Sequence, residues 1–149
     1  MKFDKETQER VLRVAADRNQ GKDFEELDEC IARIMDMHPE FDQAWEMGEM
    51  AVYPQEIEGK VVNPFVHTVL HVIVDQQIQD EAPDFVTTSY KEMVDMGMDN
   101  HEILHNLISV YADLYFTNFR RGDNFSNLDY QERLKQLVRQ ARAQMDEGE

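Results

Sequence analysis

Four of the five histidines of this chain form two pairs whose members are four residues apart. His67 and His71 lie in the stretch NPFVHTVLH, and His101 and His105 lie in NHEILH. In a helix, side chains four residues apart lie one turn apart on the same face, so two imidazoles can converge on one point. A helix supplies two ligands to a metal ion in this way. Each pair therefore predicts half of a metal site.

Helix-boundary signals place both pairs near the start of a helix. Asn63 is a favourable N-cap and Pro64 a favourable first residue for a helix that we expect to reach about Gln79. Asp99 with Glu102 is typical of a capping box, and this later helix should end at Gly122. Since one further helix is predicted between these two, they should run parallel in an up-down bundle and bring the two pairs to a similar level.

The fifth histidine, His38, ends an earlier predicted helix that would reach the same end of the bundle. We therefore predict a metal site in the bundle core, with zinc or iron as the ion. Its expected ligands are the imidazoles of His38, His67, His71, His101 and His105. The apolar neighbours of the second pair predict that His101 and His105 point inward.

Two alternatives stay open. Buried histidines need a partner for each ring nitrogen, and carbonyls, amides or waters can serve as well as a metal. The chain would then be a non-enzymatic interaction module with a metal-free, hydrogen-bonded histidine cluster. The segment HEILH also matches the HExxH pattern of metal-dependent hydrolases, with Glu102 as general base. Glu102 already serves the predicted capping box, and no third histidine follows, so this alternative carries less weight.

Composition predicts one folded domain of the all-α class. The chain has 149 residues, of which 42% are hydrophobic, enough for a packed core. The apolar periodicity and the Gly and Pro positions predict a bundle of six to seven helices, four longer ones forming the core. Residues 53–62 are expected to be a loop without strand signals, and the acidic tail at residues 145–149 to be disordered.

Charge and cysteine usage limit the partners and the compartment. A formal net charge of −16 disfavours nucleic acid as a partner, and no segment is long and apolar enough for a membrane span. A single cysteine, Cys30, is typical of a reducing compartment, so a cytoplasmic location is expected. A homo-oligomer is possible on this sequence, and no partner protein is indicated.

The segments NPFVHTVLHVIVDQQ and HEILH, with MHPEF upstream, resemble the bacterial domain of unknown function family 1841. The similarity extends from about His38 to Arg120. Residue by residue it implies that one set of positions matters: Asn63, Pro64, Phe65, His67, His71, Gln77, His101 and His105. This sequence departs from the family pattern at Gln76, where members often have Glu, and at Asp42, where a further histidine is often found. The resemblance implies no activity.

Overall fold

The computed structural model describes residues 1–147, and these residues confirm the all-α class. Seven α-helices, two short 3-10 helices and one small two-stranded sheet account for the regular structure of this part of the chain. The α-helices are α1 (Lys5–Asp17), α2 (Glu26–Asp36), α3 (Asp42–Glu46), α4 (Pro64–Asp80), α5 (Asp84–Asp95), α6 (Asn100–Arg121) and α7 (Asn127–Glu147). The 3-10 helices are Pro39–Phe41 and Gly48–Val52, and the strands are β1 (Gln55–Ile57) and β2 (Lys60–Val62).

The chain divides into two compact units, and the boundary falls within α4. The first unit comprises Met1–Ile73, and the second begins at Val74. All three histidines that converge in the structure belong to the first unit, whereas His101 and His105 belong to the second. The prediction of a single domain stays a prediction.

In the first unit, helix α1 packs against α2 and α3. The Asp4 carboxylate accepts a hydrogen bond from the Thr7 amide at 2.8 Å, which caps α1 and lowers the pKa of Asp4. The Arg18 guanidinium at the end of α1 forms ion pairs with Asp36 and Asp42, on either side of the chain reversal after α2. These contacts fix the segment that carries His38. The apolar side chains buried in this unit include Val11, Val14, Ile31, Ile34, Met35, Phe41, Trp45, Val69 and Val72.

Residues 53–62 form a hairpin, so the expectation of a loop without strands is wrong. Strands β1 and β2 pair antiparallel, with Ile57 opposite Lys60. The two-residue connection, Glu58 and Gly59, has positive φ at both positions (53° and 80°), as a type I′ turn requires. Glycine provides this conformation at the second position without steric cost, which allows the chain to turn back directly towards α4.

In the second unit, helices α5, α6 and α7 pack against one another. Tyr130 is fully buried and donates a hydrogen bond to Oε1 of Gln77 at 2.8 Å, while its ring contacts Phe85 and Tyr111 edge-on. Burial, followed by the proximity of Tyr111, raises the pKa of the Tyr130 phenol well above its ordinary value. Burial likewise raises the pKa of Tyr111. Gln77 therefore has a structural partner in this unit.

The C-terminal part of the described chain is helical. Helix α7 continues to Glu147, and the expectation of a disordered tail at residues 145–149 stays a prediction. Residues 148–149 lie outside the described part of the chain. Among the described helices, none combines the length and the apolar composition that crossing a membrane requires.

Candidate metal centre

Three imidazoles converge in the first unit. Nε2 of His67 lies 3.2 Å from Nε2 of His38 and 3.1 Å from Nε2 of His71. One candidate ligand atom from each ring can be chosen so that all three atoms lie within 4.8 Å of one another. The three residues form the one group of three or more histidine, cysteine or acidic residues within residues 1–147 that could hold an ion in this way. The structure therefore brings His38 close to the first histidine pair, as the sequence predicted.

Two separate elements deliver these rings. His67 and His71 lie one turn apart on α4, as their spacing predicts. His38 lies 29 residues before His67, at the junction between α2 and the 3-10 helix Pro39–Phe41. The chain changes direction at His38, because the ring of the next residue, Pro39, prevents an α-helix from continuing. The site thus depends on the contact between the chain turn at His38 and the first half of α4.

The start of α4 is held by Asn63 and Pro64. Oδ1 of Asn63 accepts a hydrogen bond from the Val66 amide at 3.0 Å, which confirms the predicted N-cap. Nδ2 of Asn63 donates to the carbonyl oxygen of Val52 at 3.0 Å, which ties the cap to the end of the preceding 3-10 helix. The His67 amide donates to the Asn63 carbonyl at 2.9 Å, so His67 sits in the first hydrogen-bonded turn. These bonds set the direction in which the His67 ring leaves the helix.

A backbone contact fixes the protonation of His38. Nδ1 of His38 lies 2.8 Å from the carbonyl oxygen of Ile34. A carbonyl oxygen only accepts, so Nδ1 carries the proton, and in the neutral ring Nε2 carries the lone pair. Nε2 is the atom that faces His67. Metal-ligating histidines commonly donate their other ring N–H to a carbonyl in this manner, because the contact orients the ring and selects the tautomer.

The aromatic ring of Phe41 packs against two of the three imidazoles. His38 and His71 are each only 3% exposed, and His67 is half-buried. The Phe41 ring stacks on His38 with 5.5 Å between centroids and meets His67 edge-on at 5.3 Å. Phe41 itself is buried. Such surroundings exclude water on this side and strengthen electrostatic interactions at the ring nitrogens. Apart from its place in the segment HPEF, no feature of the sequence indicated this role for Phe41.

His101 and His105 are not among the converging residues. Their rings stack on each other on α6 with centroids 6.2 Å apart, and both side chains are exposed, so the expectation that they point inward is wrong. The buried face of α6 carries Ile103 and Leu107. A shift of two residues in a helix is a rotation of about 200°, which puts the two histidines on the side opposite these residues.

The HExxH segment begins in the first turn of α6. The Asp99 carboxylate accepts from the amides of His101 and Glu102 at 3.1 and 3.4 Å, which confirms the predicted cap of α6. Glu102 is exposed, like both histidines of the motif. A buried zinc site with an adjacent general base is therefore not what this segment forms, and the hydrolase alternative has no geometric support here.

Comparison with known proteins gives a family and no function. Neither the comparison with curated proteins nor the comparison with solved structures gave a match. One family model matches residues 4–136, which include His38, Asn63, His67 and His71 as well as the exposed pair on α6. This match is longer at both ends than the segment whose motifs suggested it. The chain belongs to the family described as Domain of unknown function (DUF1841).

Proposed function

We propose that this protein binds one divalent metal ion through Nε2 of His38, His67 and His71. The ion would be zinc or iron, since imidazole nitrogens suit both. The proposal keeps three of the five histidines expected from the sequence. It gives no ligand role to His101 and His105, which are exposed on α6.

One observation carries the proposal, namely that Nε2 of His67 lies 3.2 Å from Nε2 of His38 and 3.1 Å from Nε2 of His71. His38 presents a lone pair, because its proton is on Nδ1. His67 Nε2 can carry one proton and direct it at His38, but it then has no in-plane lone pair for His71, which lies 3.1 Å away. Without that proton, the lone pairs of His67 and His38 face each other at 3.2 Å. A cation accepts all three lone pairs at once.

The distances agree with coordination by one small ion. Zinc–nitrogen bonds are about 2.0–2.1 Å long, so two nitrogens on one tetrahedral zinc lie about 3.3–3.4 Å apart. The two close pairs, at 3.2 and 3.1 Å, are near this separation. The group as a whole lies within 4.8 Å, so modest side-chain rotation brings all three nitrogens to one ion.

Three protein ligands leave a coordination position for a small molecule, which is the ligand number of catalytic rather than structural zinc sites. When bound, an ion of this kind supplies Lewis acidity and lowers the pKa of a bound water. The residues of this chain hold the ion, orient the rings and exclude water on the Phe41 side. A cytoplasmic location is part of the proposal, and the buried thiol of Cys30, the single cysteine of the sequence, supports a reducing compartment.

Metal titration of matched histidine variants tests the proposal. The wild type, His71→Ala and His105→Ala are stripped with chelator, and each is titrated with Zn²⁺ and anaerobically with Fe²⁺. Bound metal is determined by elemental analysis after gel filtration. We expect about one ion per chain in the wild type and in His105→Ala, and a loss of affinity of at least about a hundredfold in His71→Ala, because two ligands hold an ion far less tightly than three.

His105→Ala is the matched control because it removes an imidazole of the other i, i+4 pair. Wild-type protein that retains no stoichiometric metal from either titration would refute the proposal. Equal loss in both variants would contradict the assignment, because His105 is exposed on α6 and lies outside the three converging residues.

A further inference from the structure

A second candidate site lies in the other unit, between α5 and α7. A cavity of about 300 Å³, open to solvent on one side, is lined by both helices. Its apolar lining includes the half-buried ring of Phe85 and the buried side chain of Val138. The Phe85 ring is held edge-on by Tyr130 at 5.4 Å, so this surface is preformed. The volume is at the lower end for small-molecule sites.

Helix α7 lines the cavity with positive charge. Lys135, Arg139 and Arg142 recur at helical spacing, and all three contribute to the cavity wall. Within residues 1–147 none of the three forms an ion pair, although the protein carries a formal net charge of −16. In contrast, Arg133 of the same helix pairs with Asp113 at 2.9 Å. The three cations that line the cavity therefore have no carboxylate partner in the described part of the chain.

Helix α5 lines the same cavity with carboxylates and hydroxyls. Asp84, Thr88 and Glu92 follow at helical spacing, with Ser89 beside them. Neither acid forms an ion pair with the α7 cations across the opening, nor with any other residue in the range 1–147. A purely anionic ligand would meet these two carboxylates, and a purely cationic one would meet three positive side chains. A ligand that carries both charges is complementary to both walls.

We propose that this cavity binds a small zwitterion of the amino-acid class, with an apolar side chain. Its carboxylate pairs with the guanidinium of Arg139 or Arg142, because arginine offers a bidentate fork for a carboxylate. Its ammonium group is bound by Asp84 or Glu92. Its side chain lies on Phe85 and Val138. The proposal is independent of the metal centre, which lies in the first unit.

Titration with L-leucine and two truncated analogues tests this assignment. Isocaproate has the leucine skeleton without the ammonium group, and isoamylamine has it without the carboxylate. Binding is followed by calorimetry and by ¹H–¹⁵N chemical shifts of the Thr88, Ser89 and Gln131 amides in the full-length protein. We expect saturable binding of L-leucine and at least about tenfold weaker binding of either analogue, because each loses one charge-assisted contact.

Variants separate this site from the rest of the molecule. Arg139→Gln should weaken L-leucine binding at least about tenfold, while Arg121→Gln, an exposed arginine at the end of α6, should leave it unchanged. His71→Ala should also leave it unchanged, even if the metal is lost. Absence of saturable shifts at the α5 amides overturns the assignment, and so does isocaproate binding as tightly as L-leucine.

Discussion

The Nδ1 atom of His38 lies 2.8 Å from the carbonyl oxygen of Ile34, one turn earlier at the end of α2. This single bond decides which nitrogen of His38 faces the neighbouring imidazoles, because a carbonyl accepts and never donates. It also places the lone pair on the nitrogen that lies 3.2 Å from His67. The hydrogen bond to the Ile34 carbonyl therefore orients the His38 ring before any ion binds.

The first prediction concerns this tautomer. In metal-free protein, we expect the neutral ring of His38 to carry its proton on Nδ1, with the ¹⁵N shift of an unprotonated nitrogen at Nε2. The ring of His105, which is exposed, serves as the comparison. Long-range ¹H–¹⁵N correlation spectra of selectively labelled protein report both rings. A proton found on Nε2 of neutral His38 would contradict the hydrogen bond to Ile34.

The second prediction concerns stability and metal. A ligand that binds only the folded state stabilises it, by about 2.7 kcal/mol at a free concentration one hundred times its Kd. We expect chelator to lower the melting temperature of zinc-loaded wild type and of His105→Ala. The melting temperature of His71→Ala should not respond to either zinc or chelator. Differential scanning calorimetry measures these shifts, and a wild type that is indifferent to both additions would argue for a metal-free cluster.

The third prediction concerns the cap of α4. Asn63→Ala removes the acceptor for the Val66 amide and the donor to the Val52 carbonyl, so unfolding should become easier by about 1–2 kcal/mol. Asn63→Asp keeps the acceptor and adds a charge favourable to a helix N-terminus, so its loss should be smaller. Urea denaturation of the wild type and both variants measures the order of their free energies of unfolding. Because His67 lies in the capped turn, zinc affinity should fall in the same order.

Asn106→Ala, on α6, is the matched control for the cap, and it should change neither stability nor zinc affinity appreciably. If Asn63→Ala and Asn63→Asp proved equally destabilising, the bond to Val52 rather than the cap would be the contact that matters.

The fourth prediction concerns alkaline pH. Burial raises the pKa of Tyr130 in the folded protein, whereas the unfolded chain has the ordinary value of about 10. Below pH about 10 the phenol is neutral in both states and its contribution to stability is complete. Above that pH only the unfolded state ionises, so the free energy of unfolding falls, by up to about 1.4 kcal/mol per pH unit for this one group.

Tyr130→Phe should flatten this alkaline decline, although it costs about 1 kcal/mol at neutral pH by removing the bond to Gln77. Tyr53→Phe, at an exposed position, should retain the wild-type profile. Urea denaturation between pH 8 and 11 distinguishes the variants. A decline as steep in Tyr130→Phe as in the wild type would assign the effect to other groups, of which Tyr111 is the first to examine because its pKa is also raised.

Local signals predicted the helix boundaries well where a short-range contact sets them. Asn63 with Pro64 gave the start of α4, and Asp99 and Gly122 gave the two ends of α6. These residues act on their own neighbours within one turn, so sequence suffices. The hairpin was missed because its strands are three residues long and show no clear alternation. Its one usable signal was the glycine at position 59, in the second turn position.

Sequence by itself determined that His67 and His71 share one face of a helix, because a spacing of four residues is a property of the helix alone. Tertiary structure decided which further imidazole meets them. The ring that does so is His38, which lies 29 residues upstream at the chain turn after α2, while His101 and His105 remain exposed on α6. The physical reason is that a helix's inward side is set by the neighbours against which its apolar residues pack. On α6, Ile103 and Leu107 turned inward and left the histidines outside.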